Sequence, residues 1–300
     1  CDWIVGNANW NVGIGTTNPD AAVGVGNTAK LSVGILSAYQ LYGDGSNLTG
    51  ISGGGGGCLT VVETTNLVSD GFCAGCNITG DGENNILLGC CTGKSITTGD
   101  RNIVLGKDSV DCATVTGSNN IALGANSLKC LSSGTGNIAL GAYTLQCCLS
   151  TMQHNIAIGQ LAARKSQGNC NVAIGFHALL GGSGYAGIGN CNVAIGRYAG
   201  KMLKNGHSNV FVGDDAGKNI CGTGAGDGSY NTGVGAGSMG ANASGGTNAT
   251  GTAAFGNYAG RNITSGGSNS LFGAASGCTI NTGKNNTFLG NRAGNCVSSG

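Results

Sequence analysis

The chain has few residues of the kinds that support a conventional large core or a charged surface. Of its 300 residues only one is proline (Pro19), 5% are aromatic and 9% are charged. Collagen is excluded because no Gly-X-Y period runs through the chain and imino acids are almost absent. Disorder is disfavoured because disordered chains are polar and charged, whereas 40% of these residues are hydrophobic.

Clusters of positive charge and long apolar runs are also missing. The formal net charge is +1 and no Lys/Arg run occurs, so the electrostatic footprint of a nucleic-acid binder is absent. No stretch approaches the ~18 consecutive apolar residues of a membrane span. We therefore expect neither nucleic-acid binding nor membrane insertion.

Two residue types are instead abundant. There are 61 glycines and 15 cysteines. Cysteines in this number, without sustained metal-type spacing, indicate an oxidising, extracellular setting. Cys1 could be the lipidated first residue of a lipoprotein, although a fragment or processed product is the simpler interpretation.

The main signal is an internal repeat of the form Asn, apolar, small, apolar, Gly. Successive closing glycines lie 16–18 residues apart in the regular part, for example Gly106, Gly124 and Gly141, and steps of 21 or 22 mark inserted loops. Eleven copies begin with Asn and a twelfth has Thr252 in its place; the recurrent asparagines are Asn85, Asn102, Asn120, Asn137, Asn155, Asn171, Asn192, Asn209, Asn231, Asn269 and Asn286.

Within each copy the apolar residues are two apart, which is the period of a strand. One unit of about 17 residues cannot stabilise itself, because two buried aliphatics return ~3–6 kcal/mol against an ordering cost of about 25 kcal/mol. Stacked units share backbone pairing and a core. The repeat therefore predicts an all-β solenoid or β-roll whose coils each contain a strand, a turn, a short strand and a loop.

Three structural roles follow from this prediction. The asparagines are expected to stack as a ladder of side-chain amides. The flanking aliphatics, such as Ile121, Leu123, Ile138, Leu140, Ile156 and Ile158, are expected inside. The small central residues, such as Ala122 and Ala139, are then expected outside, where they are either simply tolerated or packed closely against neighbouring chains.

Cysteines at equal phases are one rung apart, a spacing of ~4.8 Å that a disulfide can bridge. Cys112, Cys130 and Cys147 share one phase, and Cys170 and Cys191 share another. Cys73-x-x-Cys76 favours a local structural disulfide over a redox or zinc site. The candidate disulfide cysteines are Cys73, Cys76, Cys112, Cys130, Cys147, Cys170, Cys191, Cys278 and Cys296.

The repeat over 83–300 resembles the Asn-x-Ala-x-Gly repeats of phage tail-fibre proteins and, more distantly, the head repeats of trimeric autotransporter adhesins. The stretch from Val12 to Pro19, and Leu41-Tyr-Gly-Asp-Gly-Ser-Asn-Leu-Thr-Gly-Ile51, is similar to a module of cyanophage-type fibres. The resemblance implies a homotrimeric, rod-like virion appendage that contacts a host receptor or glycan.

Composition divides the chain into four segments. We expect a small β-rich N-terminal fibre module at 1–52, a glycine joint at 53–57, a transition segment at 58–82 and the solenoid at 83–300. The last repeat opens at Asn286 and the chain stops in mid-repeat, so we expect it to be a fragment.

The sequence predicts no catalytic, cofactor-binding or metal-ligating set, and hence no enzyme. Gly235-x-Gly237-x-x-Gly240 matches a dinucleotide fingerprint formally but lacks the following helix, and Asp214-Asp215 alone suggests a carboxylate pair. The function expected is a structural, trimeric extracellular fibre that attaches to a host. The alternative is a cell-made extracellular filament subunit or bacterial surface adhesin.

Overall fold

The structure is a computed structural model, and it describes residues 4–6, 12–14, 60–62, 66–78, 81–111, 114–146, 151–182, 187–220, 228–240 and 249–297. The chain divides into two units, Cys1–Ser52 and Gly53–Gly300. In the first unit, β1 (Ile4–Gly6) pairs antiparallel with β2 (Val12–Ile14). The expected glycine joint, and most of the expected N-terminal module, lie outside the described residues.

The second unit is a parallel β-solenoid, as the repeat predicts. Its sheet runs in chain order from β3 (Thr60–Val62) to the last strand. β3 pairs antiparallel with β4 (Leu67–Asp70), and every later pairing is parallel. The later strands are β5 (Ile86–Leu88), β6 (Ile103–Leu105), β7 (Ile121–Leu123), β8 (Ile138–Leu140), β9 (Ile156–Ile158), β10 (Val172–Ile174), β11 (Val193–Ile195), β12 (Val210–Val212), β13 (Thr232–Val234), β14 (Ala253–Phe255), β15 (Ser270–Phe272) and β16 (Thr287–Leu289).

Register is constant from coil to coil. Ile121 pairs with Ile138 and Ala122 with Ala139, and the longer steps keep the same phase, since Val172 pairs with Val193. Inserted residues are therefore accommodated outside the strands. The parallel ladder begins with β4, one coil before the first repeat copy, where Leu67 occupies the position of the ladder asparagine.

The opposite side of each coil is a turn wall instead of the expected second strand. Behind the closing glycine, every second residue has a positive φ: 135° at Gly124, 57° at Asn126 and 49° at Leu128. Their amides still bond between coils, Asn126 N–H donating to Lys107 O and Leu128 N–H to Thr144 O. Outside the named strands, the described residues add only isolated parallel bridges, such as the one between Ile96 and Val115.

The predicted facing of the strands is wrong: the central residue of each strand is inside and its neighbours are outside. Ala122, Ala139 and Ala157 are fully buried. The flanking residues Ile121, Ile138, Leu140, Ile156 and Ile158 are only half-buried, and Leu123 is 36% exposed. The coil is so thin that one residue from the strand and one from the turn wall fill it, which leaves no room for two large aliphatics per strand.

Central residues and turn-wall residues compensate each other in volume. The turn-wall partner lies six positions after the central residue. A small Ala122 faces Leu128, and a large Phe211 faces Gly217, where a Cβ would collide with the Phe211 ring. Leu87 with Gly93, Leu271 with Gly277 and Phe288 with Gly294 repeat the second arrangement.

Some coils have a small residue at both positions, and side chains of adjacent coils then fill the space. Gly200 follows the small Ala194, and a Cβ there would meet Leu179 Cδ2 at 2.8 Å and Phe211 Cδ2 at 3.2 Å. The core is therefore one continuous column shared by adjacent coils.

Candidate functional site

The recurrent asparagines lie inside the coil, just before each strand. In the regular part of the solenoid, each asparagine donates hydrogen bonds to the preceding asparagine and accepts them from the following one. Asn120 illustrates the pattern: its N–H and its Nδ2 both donate to Asn102 Oδ1, at 3.0 and 3.1 Å, and Nδ2 also donates to Gly134 O at 3.0 Å. Asn137 then repeats the first two contacts with Asn120 Oδ1.

This asparagine ladder continues along the solenoid, with local variants. Asn171 donates its N–H to Asn155 Oδ1, while its Nδ2 lies 3.4 Å from Ser166 Oγ. Where Thr252 replaces Asn, its N–H still donates to Asn231 Oδ1, but the next amide, that of Asn269, reaches Thr252 Oγ1 only at 3.5 Å. The ladder is thus a structural element of the coil interior.

The outer face of the strands carries two columns of mainly apolar side chains, here called the outer strip. All are half-buried or exposed, and none is charged. The first column precedes the central residue and contains Ile86, Ile103, Ile121, Ile138, Ile156, Val172, Val193, Val210, Thr232, Ala253, Ser270 and Thr287. The second column follows it and contains Leu88, Leu105, Leu123, Leu140, Ile158, Ile174, Ile195, Val212, Val234, Phe255, Phe272 and Leu289.

The outer strip is long for an exposed apolar surface. From β5 to β16 it crosses eleven coil steps of ~4.8 Å, or about 53 Å, and it is two side chains wide. Its projected area is on the order of 500 Å², at the upper end of what a monomer leaves uncovered. This surface was not predicted from the sequence, because the same residues were expected in the core.

A charged and aromatic cleft lies on the turn wall of the coils that carry β12 to β14. It has a volume of about 140 Å³, and its lining includes Asp214, Asp215, Lys218, Tyr258 and Arg261. The Arg261 guanidinium carbon lies 4.4 Å from the centre of the Tyr258 ring. The cleft therefore offers donors, acceptors and an aromatic ring in one place.

The Asp214-Asp215 pair is divided between two cations. Asp214 Oδ2 lies 2.7 Å from Arg197 Nη2, and this hydrogen bond raises the pKa of Arg197. Asp215 Oδ2 lies 3.1 Å from Lys218 Nζ. Asp215 Oδ1 is buried without a hydrogen-bond partner. Each carboxylate is thus paired with its own cation, Asp214 with Arg197 and Asp215 with Lys218.

The histidines of the solenoid lie in different coils and do not converge. His177 stacks on Phe176 with ring centroids 3.9 Å apart and meets Tyr198 edge-on at 5.4 Å. Burial, followed by the charges of Lys201 and Arg164, lowers its pKa. Within the described residues, no group of three or more His, Cys, Asp or Glu side chains is placed to hold a metal ion.

The candidate disulfide cysteines have several outcomes. Cys73 and Cys76 form a disulfide, with Cα atoms 5.0 Å apart. Cys170, Cys191, Cys278 and Cys296 are free thiols, so no disulfide within the chain joins them, and disulfides between chains stay a prediction. Equal phase alone stacks their side chains in parallel, and a disulfide also requires Cβ vectors that converge. Cys112 and Cys147, which share a phase with Cys130, lie outside the described residues.

Cys90 and Cys91 form a further pair of neighbouring free thiols. Cys90 Sγ and Cys91 Sγ lie 3.6 Å apart, and the hydrogen bond between the two thiols is the main cause of a raised pKa for Cys91. Cys278 Sγ lies 2.6 Å from Asn295 Oδ1.

Comparison with known proteins identifies no relative. No helix in the described residues has the length and apolar character of a membrane span. No protein-family model, curated protein or solved structure matches the chain.

Proposed function

We propose that this chain is a structural, non-catalytic fibre protein that forms a trimeric extracellular appendage, of the phage tail-fibre type, for attachment to a host surface. The observation that carries the proposal is the outer strip along a solenoid whose strands are paired in constant register. An uncharged apolar surface this long indicates a protein partner. A second copy suits it well, because two identical ladders have the same rung spacing and their side chains mesh along the whole length.

The surface proposed to drive association differs from the one inferred from the sequence. The buried alanines cannot touch another chain, so close approach through an Ala stripe is replaced by burial of Ile, Leu, Val and Phe side chains on the outer strip. Three chains, instead of two, are inferred from the resemblance to tail fibres and adhesin heads.

Attachment is assigned to the variable parts of the surface. The cleft around Tyr258 and Arg261 combines the ring and the polar groups with which proteins hold polar ligands such as glycans. The inserted stretches Gly181–Gly189 and Cys221–Tyr230 can vary without disturbing the strands. Three copies on one rigid rod would convert weak contacts into avidity.

Leu123→Glu is expected to weaken self-association of the purified chain, because it places a carboxylate in the middle of the outer strip. Ala125→Glu is the matched control: it adds the same charge in the same coil, at an exposed position outside the strip. Light scattering at micromolar concentration measures the mass of each variant.

We expect a trimer mass for the wild type and for Ala125→Glu, and a shift toward monomer for Leu123→Glu. A monomeric wild type would end the proposal. For attachment, two variants are compared with the wild type in binding to immobilised bacterial surface polysaccharides: Tyr258→Ala, and deletion of Ser183 to Ala186, which shortens this step from 21 to 17 residues and spares the buried Ile188. Unchanged binding by both would remove the attachment sites named above.

A further inference from the structure

Two free thiols are stacked on adjacent rungs of the solenoid. Cys170 and Cys191 each directly precede a ladder asparagine, and both are exposed. Their backbones have the same left-handed conformation, with φ of 58° and 59°. Their N–H groups make equivalent bonds to the preceding coil, to Gln153 O at 3.0 Å and Asn169 O at 2.9 Å. The two side chains therefore leave the backbone in the same direction.

The rung spacing decides what can join the two sulfur atoms. The strands that follow are paired in register, Val172 with Val193, so the cysteines are one rung, ~4.8 Å, apart. A disulfide needs sulfur atoms at ~2.05 Å and converging Cβ vectors. Two metal–sulfur bonds placed end to end span about 4.6 Å if each has the ~2.3 Å length of a zinc–thiolate bond, which is close to the rung spacing.

We propose that Cys170 and Cys191 form a two-coordinate bis-thiolate site for a soft monovalent cation of the Cu(I) class. Binding replaces the two thiol protons, which are released to solvent, and forms two metal–sulfur bonds without change of oxidation state. Thiolate sulfur is the ligand that selects Cu(I) over harder ions.

The surroundings favour two ligands over a larger set. His154 precedes Asn155 in the coil below, but its ring lies on the other side, toward the previous coil, where a Cβ on Gly136 would meet His154 Nδ1 at 2.7 Å. The next coil has Ser208 at this position. Since the described residues hold no three-ligand group, zinc, which takes four ligands in structural sites, is poorly served here.

Cys90 and Cys91 provide a matched comparison within the same chain. They are also two free thiols close together, but they are sequence neighbours with sulfur atoms 3.6 Å apart, which is shorter than the ~4.6 Å span of a linear bis-thiolate. If rung spacing selects the ion, the Cys170/Cys191 pair should bind first.

The test is residue-resolved thiol alkylation of the full chain, under anaerobic conditions, with and without one equivalent of Cu(I). Peptide mapping follows each cysteine. We expect the alkylation rates of Cys170 and Cys191 to fall together by about tenfold or more, because a metal-bound thiolate is no longer a free nucleophile. Cys296, another exposed free thiol, is expected to react as before.

Single serine variants separate a shared site from two independent ones. Cys170→Ser should restore alkylation of Cys191, and Cys191→Ser that of Cys170, whereas Cys90→Ser should leave both protected. Circular dichroism checks that each variant retains its fold. Protection of Cys191 that survives Cys170→Ser, first occupation of Cys90/Cys91, or a Cys170–Cys191 disulfide in protein isolated without reductant would each overturn the proposal.

Discussion

An asparagine in the interior of the ladder, such as Asn137, joins three successive coils. The Oδ1 atom of Asn137 accepts from the N–H and the Nδ2 of Asn155, at 3.1 Å each, and its own Nδ2 donates to Asn120 Oδ1 and to Met152 O. These groups are buried, so water cannot replace a partner that is lost.

Asn137→Ala is accordingly expected to lower the free energy of unfolding by about 2–4 kcal/mol, because it leaves buried donors and an acceptor unpaired in both neighbouring coils. Asn137→Thr should cost less, since threonine occupies this position naturally at Thr252 and retains one acceptor oxygen. Urea unfolding of both variants measures the difference. Equal stability of Asn137→Ala and the wild type would show that the ladder is not stabilising.

His177 gives the solenoid a pH dependence. Burial and the nearby Lys201 and Arg164 lower its pKa in the folded state. An unfolded histidine has a pKa of ~6.5, so below that pH the unfolded chain binds the proton more readily than the folded chain does. The contribution of neutral His177 is complete above that pH and is lost as the pH falls through the folded pKa. Melting temperature should therefore fall from pH 7 to 5, and His177→Gln should reduce this slope; identical slopes would contradict the assignment.

The sequence predicted the asparagine column correctly in position but not which neighbours face inward. Period two establishes that Ile121 and Ala122 point to opposite sides, and nothing in it states which side is the core. Convention assigns the larger residue to the inside, and here the width of the coil reverses that assignment. The reversal could have been found from residues six apart, since Leu87, Phe211, Leu271 and Phe288 each precede a glycine by that distance.

The basic structural element is a strand and a turn wall that share one thin layer of core. Phe211 is fully buried, and its ring occupies the space next to Gly217 and Gly233. The same layer around Ala122 is filled from the other side by Leu128. The chain therefore fills the layer in two ways: a large strand residue packs beside a turn-wall glycine, or a small strand residue packs beside a large turn-wall residue.

Exchanging these two arrangements is a direct test of the layer. Phe211→Ala alone is expected to cost about 3–5 kcal/mol through the cavity it leaves, and Gly217→Leu alone should also destabilise, because the new side chain meets the Phe211 ring at a backbone with φ of 60°. The double variant should lose less than the sum of the two single variants. A double-mutant cycle in urea measures this coupling, and simple additivity would show that the two positions do not share a volume.

The turn wall is the element that is least predictable from the sequence. Leucine, valine and methionine are poor candidates for left-handed backbone, yet Val110, Leu128 and Met239 adopt φ of 54°, 49° and 50°. Inter-coil hydrogen bonds and burial hold them there, and such tertiary effects leave no trace in local propensity. The strand, whose alternation is local, was by contrast predictable in every copy.

On the scale of the whole solenoid, each coil contacts its immediate neighbours, and the phase is the same in every step. Removing residues 125–141, one period of 17 residues, joins Gly124 to Ala142 and leaves every column in register. We expect this variant to fold, with a modest loss of stability, because a stacked array loses one unit and one interface.

A deletion of residues 125–132 is the control, since it shifts all later columns against the earlier ones. It should fail to give a cooperative melt by circular dichroism. Equal behaviour of the two deletions would show that register between coils does not determine folding.

The first column of the outer strip changes in character along the solenoid, so that the two ends of the strip differ. It is isoleucine from β5 to β9 and becomes Thr232, Ala253, Ser270 and Thr287 from β13 to β16. A parallel neighbour in register places aliphatic side chains against aliphatic ones and hydroxyls against hydroxyls. An antiparallel neighbour places aliphatic side chains against hydroxyls. This gradient therefore gives the outer strip a polarity, and it favours parallel over antiparallel association of chains.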